Sequence, residues 1–87
     1  MLYTIVERFD ADGLELMHDR FRSRGRLLPD GVSYIDSYMD PNGRFCFQLM
    51  NAESEAALEE WMRRWSDLVT FEVHEVMRSA DFWSKRE

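Results

Sequence analysis

The stretch FEVHEV places Glu72 and His74 two residues apart, the spacing that puts neighbours on one face of an extended strand. An imidazole beside a carboxylate can take and return a proton near neutral pH, so lining a cavity this pair would act as an acid–base couple. Glu7, near the end of LYTIVERF, is the second candidate base, either turned into a cavity or marking the surface exit of its strand. No third catalytic partner is identifiable for His74, and its plainer reading is an edge-strand histidine, exposed or bonded to a neighbour. His18, between Met17 and Asp19, reads as boundary surface. Cys46 is the only cysteine and lies in an apolar strand, where a thiol behaves as a small buried hydrophobe. A reactive thiolate would need a cation or a helix N-terminus beside it. A metal centre needs about four ligands at workable spacing. Two histidines, one cysteine and scattered carboxylates supply no such pattern, so no metal and no cofactor is expected.

GRFCFQLM, residues 43–50, raises a different chemistry. A basic residue followed by alternating aromatics on a strand is how RNA-recognition domains build stacking platforms, and their other aromatic sits on the first strand, where this chain has Tyr3. The electrostatics oppose that reading: the formal charge is −6, whereas phosphate-binding modules are usually basic. Arg44 also runs directly into Phe45 without the intervening glycine, and Gln48 stands where those domains bury an aliphatic residue. No nucleic-acid partner is expected. Against the acidic background, RFRSRGR gathers Arg20, Arg22, Arg24 and Arg26. A solvated helix end, with cations near the negative end of the dipole, is the plainer reading. The functional one is an anion contact or ion pairing with an acidic partner subunit.

The elements that must position these residues follow from patterning. A chain of 87 residues makes one small domain, expected over residues 1–80 with a tail at 81–87. Hydrophobic content of 45% with 14% aromatics is ample for a folded core. Stability at this size is marginal, and with one cysteine and no metal the remaining common device is oligomerisation. Met1 leads into Leu2–Val6 and then Glu7, Arg8 and Asp10, unlike a signal peptide, and no apolar run approaches the roughly 20 residues of a membrane span. The expectation is a soluble cytoplasmic protein with no membrane partner.

Residues 2–9 read as a strand rich in β-branched and aromatic side chains. DADG offers aspartate caps to a helix over about 13–25, with Leu14, Met17 and Phe21 on one face and Gly25 as the stop. VSYIDSYMD, residues 32–40, and RFCFQLM, residues 44–50, flank Pro41-Asn42-Gly43 and make a hairpin. Ser54 can cap a second helix whose Ala57, Leu58, Trp61, Trp65 and Leu68 recur at helical spacing, with Glu59–Arg63 and Glu60–Arg64 as favourable pairs one turn apart. Core packing is the plainer role for the two tryptophans. VTFEVHEVM, residues 69–77, is the last strand. The order predicts a ferredoxin-like α+β fold, βαββαβ, with a four-stranded antiparallel sheet and two helices on one face.

Strands one and three are apolar on both sides, so the uncovered face of the sheet is too apolar to stay bare. In the favoured phase it carries Tyr3, Phe45 and Phe47, together exposing on the order of 500 Å². Tyr34 and Tyr38 are expected to share a face of their strand with Asp36 and to border the same surface.

LYTIVERF, FRSRGRLLPDGVSYIDSY, CFQLMN and WMRRWSDLVTFEVHEV resemble a family of small bacterial proteins catalogued as domain of unknown function 3303. The resemblance runs from Leu2 to about Ala80 and is most specific at Arg24-Gly25-Arg26, Gln48-Leu49-Met50 and Trp65-Ser66-Asp67-Leu68. The chain departs from it at Ala52-Glu53-Ser54-Glu55, where the family often has an acidic run ending in proline, and at Glu75, where proline is frequent. The family in turn resembles the dimeric α/β-barrel superfamily, in which two ferredoxin-like sheets face one another across a two-fold axis. That resemblance implies a dimeric α/β barrel and assigns no activity or catalytic residue. The resulting expectation is a homodimer paired through its open sheet face. A small apolar or aromatic molecule is expected in a cleft there, lined by Tyr3, Tyr34, Tyr38, Phe45, Phe47 and His74. A cofactor-independent monooxygenase- or isomerase-like enzyme, using His74 or Glu7 as base, is one alternative. A purely structural or regulatory dimer with a filled interface is the other.

Overall fold

The computed structural model describes residues 1–86. Strand β1 spans Leu2–Phe9, helix α1 Gly13–Arg24, β2 Val32–Met39, β3 Phe45–Ala52, α2 Glu55–Arg63, β4 Val69–Val76 and a short α3 Ser79–Ser84. The four strands form one antiparallel sheet in the order β2-β3-β1-β4, the ferredoxin-like arrangement. Of the residues assigned above to a C-terminal tail, most form α3, while Glu87 lies outside those described.

Local chemistry explains the boundaries. The Ser54 hydroxyl accepts from the Ala57 N–H at 3.1 Å, capping α2 as its sequence predicts. Asp12 flanks α1 but makes no side-chain cap, so the expected aspartate bond is not formed there. Arg63 and Arg64 both pair with Glu60, and the Glu59–Arg63 pair gives way to that shared partner. In the β2–β3 hairpin, Gly43 turns with φ of 72°, and a Cβ there would lie 2.7 Å from Leu14 Cδ2. The positive φ favours glycine, while the Leu14 side chain could shift to relieve the contact.

The core lies between the sheet and α2: Tyr3, Ile5, Met50, Ala52, Val32, Leu58, Trp61 and Trp65 are buried together. Opposed residues on paired strands share a face. Tyr3 faces Met50, Ile5 faces Gln48 and Glu7 faces Cys46, so these six point toward the helices. Thr4, Val6 and Arg8 lie on the other face with Leu49, Phe47 and Phe45. Tyr3 is therefore on the covered side, only 3% exposed, which corrects the favoured phase of β1, while Phe45 and Phe47 lie on the open face as expected. Alternation could not settle it, because both sides of these strands are apolar.

A second correction concerns β2. Tyr34 is opposite Met50 and Asp36 opposite Leu49, so Ile35 is an extra residue, a β-bulge. The bulge reverses the alternation, sending Tyr34 to the helix side and Asp36 and Tyr38 to the open side.

Candidate functional site

Beneath α1 the sheet is not closed by packing. A cleft of about 190 Å³ opens there, lined on the helix side by Met17, His18 and Phe21, and on the sheet by Glu7, Ser37, Met39, Cys46 and Gln48. Arg26, Trp61 and Trp65 complete the wall. The lining is mostly apolar, with a few convergent polar groups, as ligand pockets generally are.

Glu7 is the unusual member. It continues the inward phase of Tyr3 and Ile5, is 4% exposed, and accepts a hydrogen bond from Gln48 Nε2. Burial pushes its carboxyl above the usual range, while the Gln48 bond and the nearby Arg26 charge hold it back. Gln48 is itself 8% exposed, and its Oε1 has no hydrogen-bond partner among the described residues. Cys46 lies beside them, its thiol pushed up to about 11 by burial and by the Glu7 charge. At neutral pH it stays protonated, which fits a packed thiol and not an activated nucleophile.

Arg26 reaches the cleft from the loop after α1. Its guanidinium lies over the Tyr34 ring, Cζ 3.4 Å from the centroid, and also 5.2 Å from that of Phe21. Helix α2 and the turn after it fix the backbone of that loop. The indole N–H groups of Trp61 and Trp65 donate to the Arg26 carbonyl at 3.2 and 2.9 Å, and Arg64 donates to the Leu27 carbonyl at 3.0 Å. These bonds hold Leu27 in the left-handed region at φ of 57°, a strained setting for a branched side chain. Within the arginine cluster, Arg20 binds Asp67 through two bonds, at 2.8 and 2.6 Å, and also reaches the Arg64 carbonyl. That guanidinium–carboxylate fork ties α1 to the segment after α2. Arg22 and Arg24 are exposed.

The expected site residues divide between the two faces. Tyr38, Phe45, Phe47 and His74 are on the open face, whereas Tyr3 is core and Tyr34 lies under Arg26 on the helix side, bonded to Ser37 at 2.7 Å. Glu72 and His74 do meet, His74 Nε2 lying 2.8 Å from Glu72 Oε2, with Arg8 3.8 Å from the same carboxylate. Both side chains are more than half exposed, and the pair lies across the sheet from Glu7. The two candidate bases are thus on opposite faces. Sequence reasoning passed over Gln48, Arg26, Met17, Met39 and Ser37 as cleft residues. Glu7 and Gln48 were nonetheless visible as polar residues in the apolar phase of their strands, Gln48 between Cys46 and Met50.

No three or more His, Cys, Asp or Glu groups gather to hold a metal ion among the described residues. No helix among them is long and apolar enough to cross a membrane.

Fold and cleft together define a small ferredoxin-like α+β protein with a cavity between helix and sheet. The chain belongs to the family described as Domain of unknown function (DUF3303), which it matches over residues 1–85. Among solved structures it is similar to that of Rv0793 from Mycobacterium tuberculosis, at 19% identity and a TM-score of 0.50, over 92% of this chain and 99% of that one. At that identity the likeness speaks to the fold alone. No curated protein matches the chain.

Proposed function

We propose that this protein binds a small, largely apolar molecule in the cleft beneath α1, and that it does so as a homodimer paired through its open sheet face. The observation carrying the binding reading is the cleft's composition: an aromatic and methionine wall that ends on a buried carboxyl and an unpaired amide oxygen. The expected cleft on the open face is thereby replaced by one on the covered face. Support for self-association comes from the uncovered side, where Phe45, Phe47 and Leu49 share one face of β3 and Phe47 is 49% exposed. An apolar patch of that kind marks an interaction surface.

A catalytic reading is the second choice, and one observation favours it. A carboxyl displaced upward by burial inside a cleft is the setting of a general base. Glu7 is its base; His74, facing away from the cleft, is not.

Native mass spectrometry at several concentrations tests the first reading. The expected species is a dimer retaining a small extra mass, and Phe47→Asp is expected to dissociate it into monomers that keep that mass. A wild-type monomer at every concentration refutes the sheet-face pairing. Dimers that bind no small molecule, alone or from a supplied aromatic library, refute the cleft reading. Turnover lost in Glu7→Gln and kept in His74→Ala would promote the catalytic reading.

A further inference from the structure

The polar inventory of the cleft narrows what it can hold. Several of its donors are already committed: both indole N–H groups to the Arg26 carbonyl, Gln48 Nε2 to Glu7, and the Ser37 hydroxyl paired at 2.7 Å with that of Tyr34 outside the lining, while the Arg26 guanidinium and the His18 ring also line the cleft. By accepting from Nε2, Glu7 holds the Gln48 amide with its N–H toward the carboxyl, leaving Oε1 as an acceptor. That oxygen is buried and without a partner among the described residues, on a side chain 8% exposed. A buried unpaired acceptor is unfavourable until a donor reaches it. Gln48 Oε1 is therefore the acceptor at the polar end of the cleft that a ligand donor would satisfy.

Charge restricts the choice further. A ligand ammonium drawn to Glu7 would also meet the Arg26 guanidinium, which lines the same cleft. A ligand carboxylate or phosphate drawn to Arg26 would meet Glu7. Size and wall chemistry supply the remainder. A cavity of roughly 150 Å³ accommodates benzene, and this one measures about 190 Å³. Its walls are Trp61, Trp65, Phe21, Met17 and Met39, which suit the face and edge of an aromatic ring.

We propose that the cleft selects a neutral one-ring molecule carrying a hydroxyl donor, a phenol or the enol equivalent, seated with its O–H toward Gln48 Oε1 and Glu7 and its ring between the α1 side chains and the tryptophans. The inference rests on the cleft being a ligand site, and it adds the polarity and charge of what enters.

The test uses the two indole N–H signals of Trp61 and Trp65 in proton–nitrogen NMR spectra near pH 7.5, with Trp83, which does not line the cleft, as reference. Four probes of similar ring size are titrated: 4-methylphenol, 4-methylanisole, toluene and benzylamine. The methyl ether keeps the oxygen and removes the donor. 4-Methylphenol is expected to bind about ten-fold tighter than toluene or the ether, the worth of one net hydrogen bond. Benzylamine, protonated, is expected to leave both indole signals unmoved. Gln48→Met is expected to erase the preference for the phenol while toluene still binds. Equal affinity for the phenol and its ether overturns this inference and leaves apolar binding in the cleft standing. Benzylamine as the tightest ligand overturns it too, by showing recognition of a cation. If no probe moves the indole signals, the cleft reading itself fails.

Discussion

The loop that carries Arg26 into the cleft hangs on one shared acceptor. The Arg26 carbonyl takes both indole donors, Trp65 at 2.9 Å and Trp61 at 3.2 Å. A carbonyl has two lone pairs, so losing one donor leaves it satisfied and losing both strands it. Trp61→Phe or Trp65→Phe alone removes one neutral hydrogen bond, about 1 kcal/mol net, together with the packing of the second ring. The double variant adds the penalty of an unpaired acceptor, about 1–3 kcal/mol. It should therefore exceed the sum of the singles by about 1 kcal/mol or more, since the packing losses enter both sides of the cycle and largely cancel. Urea titrations followed by far-ultraviolet circular dichroism measure this at one fixed protein concentration, because self-association would shift the midpoints. With a slope of about 1 kcal/mol per molar urea for a chain this size, the excess is a midpoint displacement of about 1 M. Additivity within about 0.3 kcal/mol refutes the reasoning, and would mean that water replaces the indoles at no loss.

Three further outcomes are expected. Glu7 has a folded-state pKa raised above its ordinary 4.5 by burial, so its contribution to stability is complete below 4.5 and is lost as pH rises through the folded value. Glu7→Gln escapes that loss: thermal melts should find it more stable than the parent at pH 8, with the gap closing toward pH 4.5, and a gap that widens on acidification would reverse the assignment. Cys46, 5% exposed and with its thiol pushed up to about 11, should resist iodoacetamide at pH 7.5 in the folded protein and react fully in urea; rapid labelling of the native state would show that the strand opens. Ile5 is fully buried, and Ile5→Ala should lose about 2–5 kcal/mol in chemical denaturation, a smaller loss indicating that the neighbouring cleft collapses to fill the space.

The elements were legible where local chemistry is decisive. Pro41-Asn42-Gly43 announces its hairpin, Ser54 its cap and Trp61 the inward side of α2, because each depends on residues near in sequence, whereas the helix stops at Arg63 and Trp65 is buried from the turn that follows. The strand phase was not legible, because LYTIV and FCFQLM offer apolar side chains to both sides and only the pairing of Tyr3 with Met50 decides between them. Nor was the bulge at Ile35, which no glycine or proline marks. Beside it the Asp36 carboxylate accepts from the Ser37 N–H at 2.8 Å, a local bond that the sequence permits without requiring. That single extra residue separates Tyr34 from Tyr38 and moves half of the expected tyrosine pair to the far side of the sheet.

Glu7 and Gln48 are the exceptions among the inward-facing residues of β1 and β3. Their positions belong to the inward phase otherwise filled by Tyr3, Ile5, Cys46 and Met50, where an aliphatic side chain would pack without penalty. A buried carboxyl raises the free energy of the fold at neutral pH, and the amide that partners it keeps one oxygen unpaired. Neither group gains enough from the other to account for its place as a structural device, since two apolar residues of similar volume would serve better. The cleft above them is the feature that gives both groups a use. Residues that break the local rule without a structural return concentrate at sites of function. By that criterion the acid–amide pair beneath α1, and not the exposed Glu72–His74 pair across the sheet, is where the chemistry of this fold is to be sought.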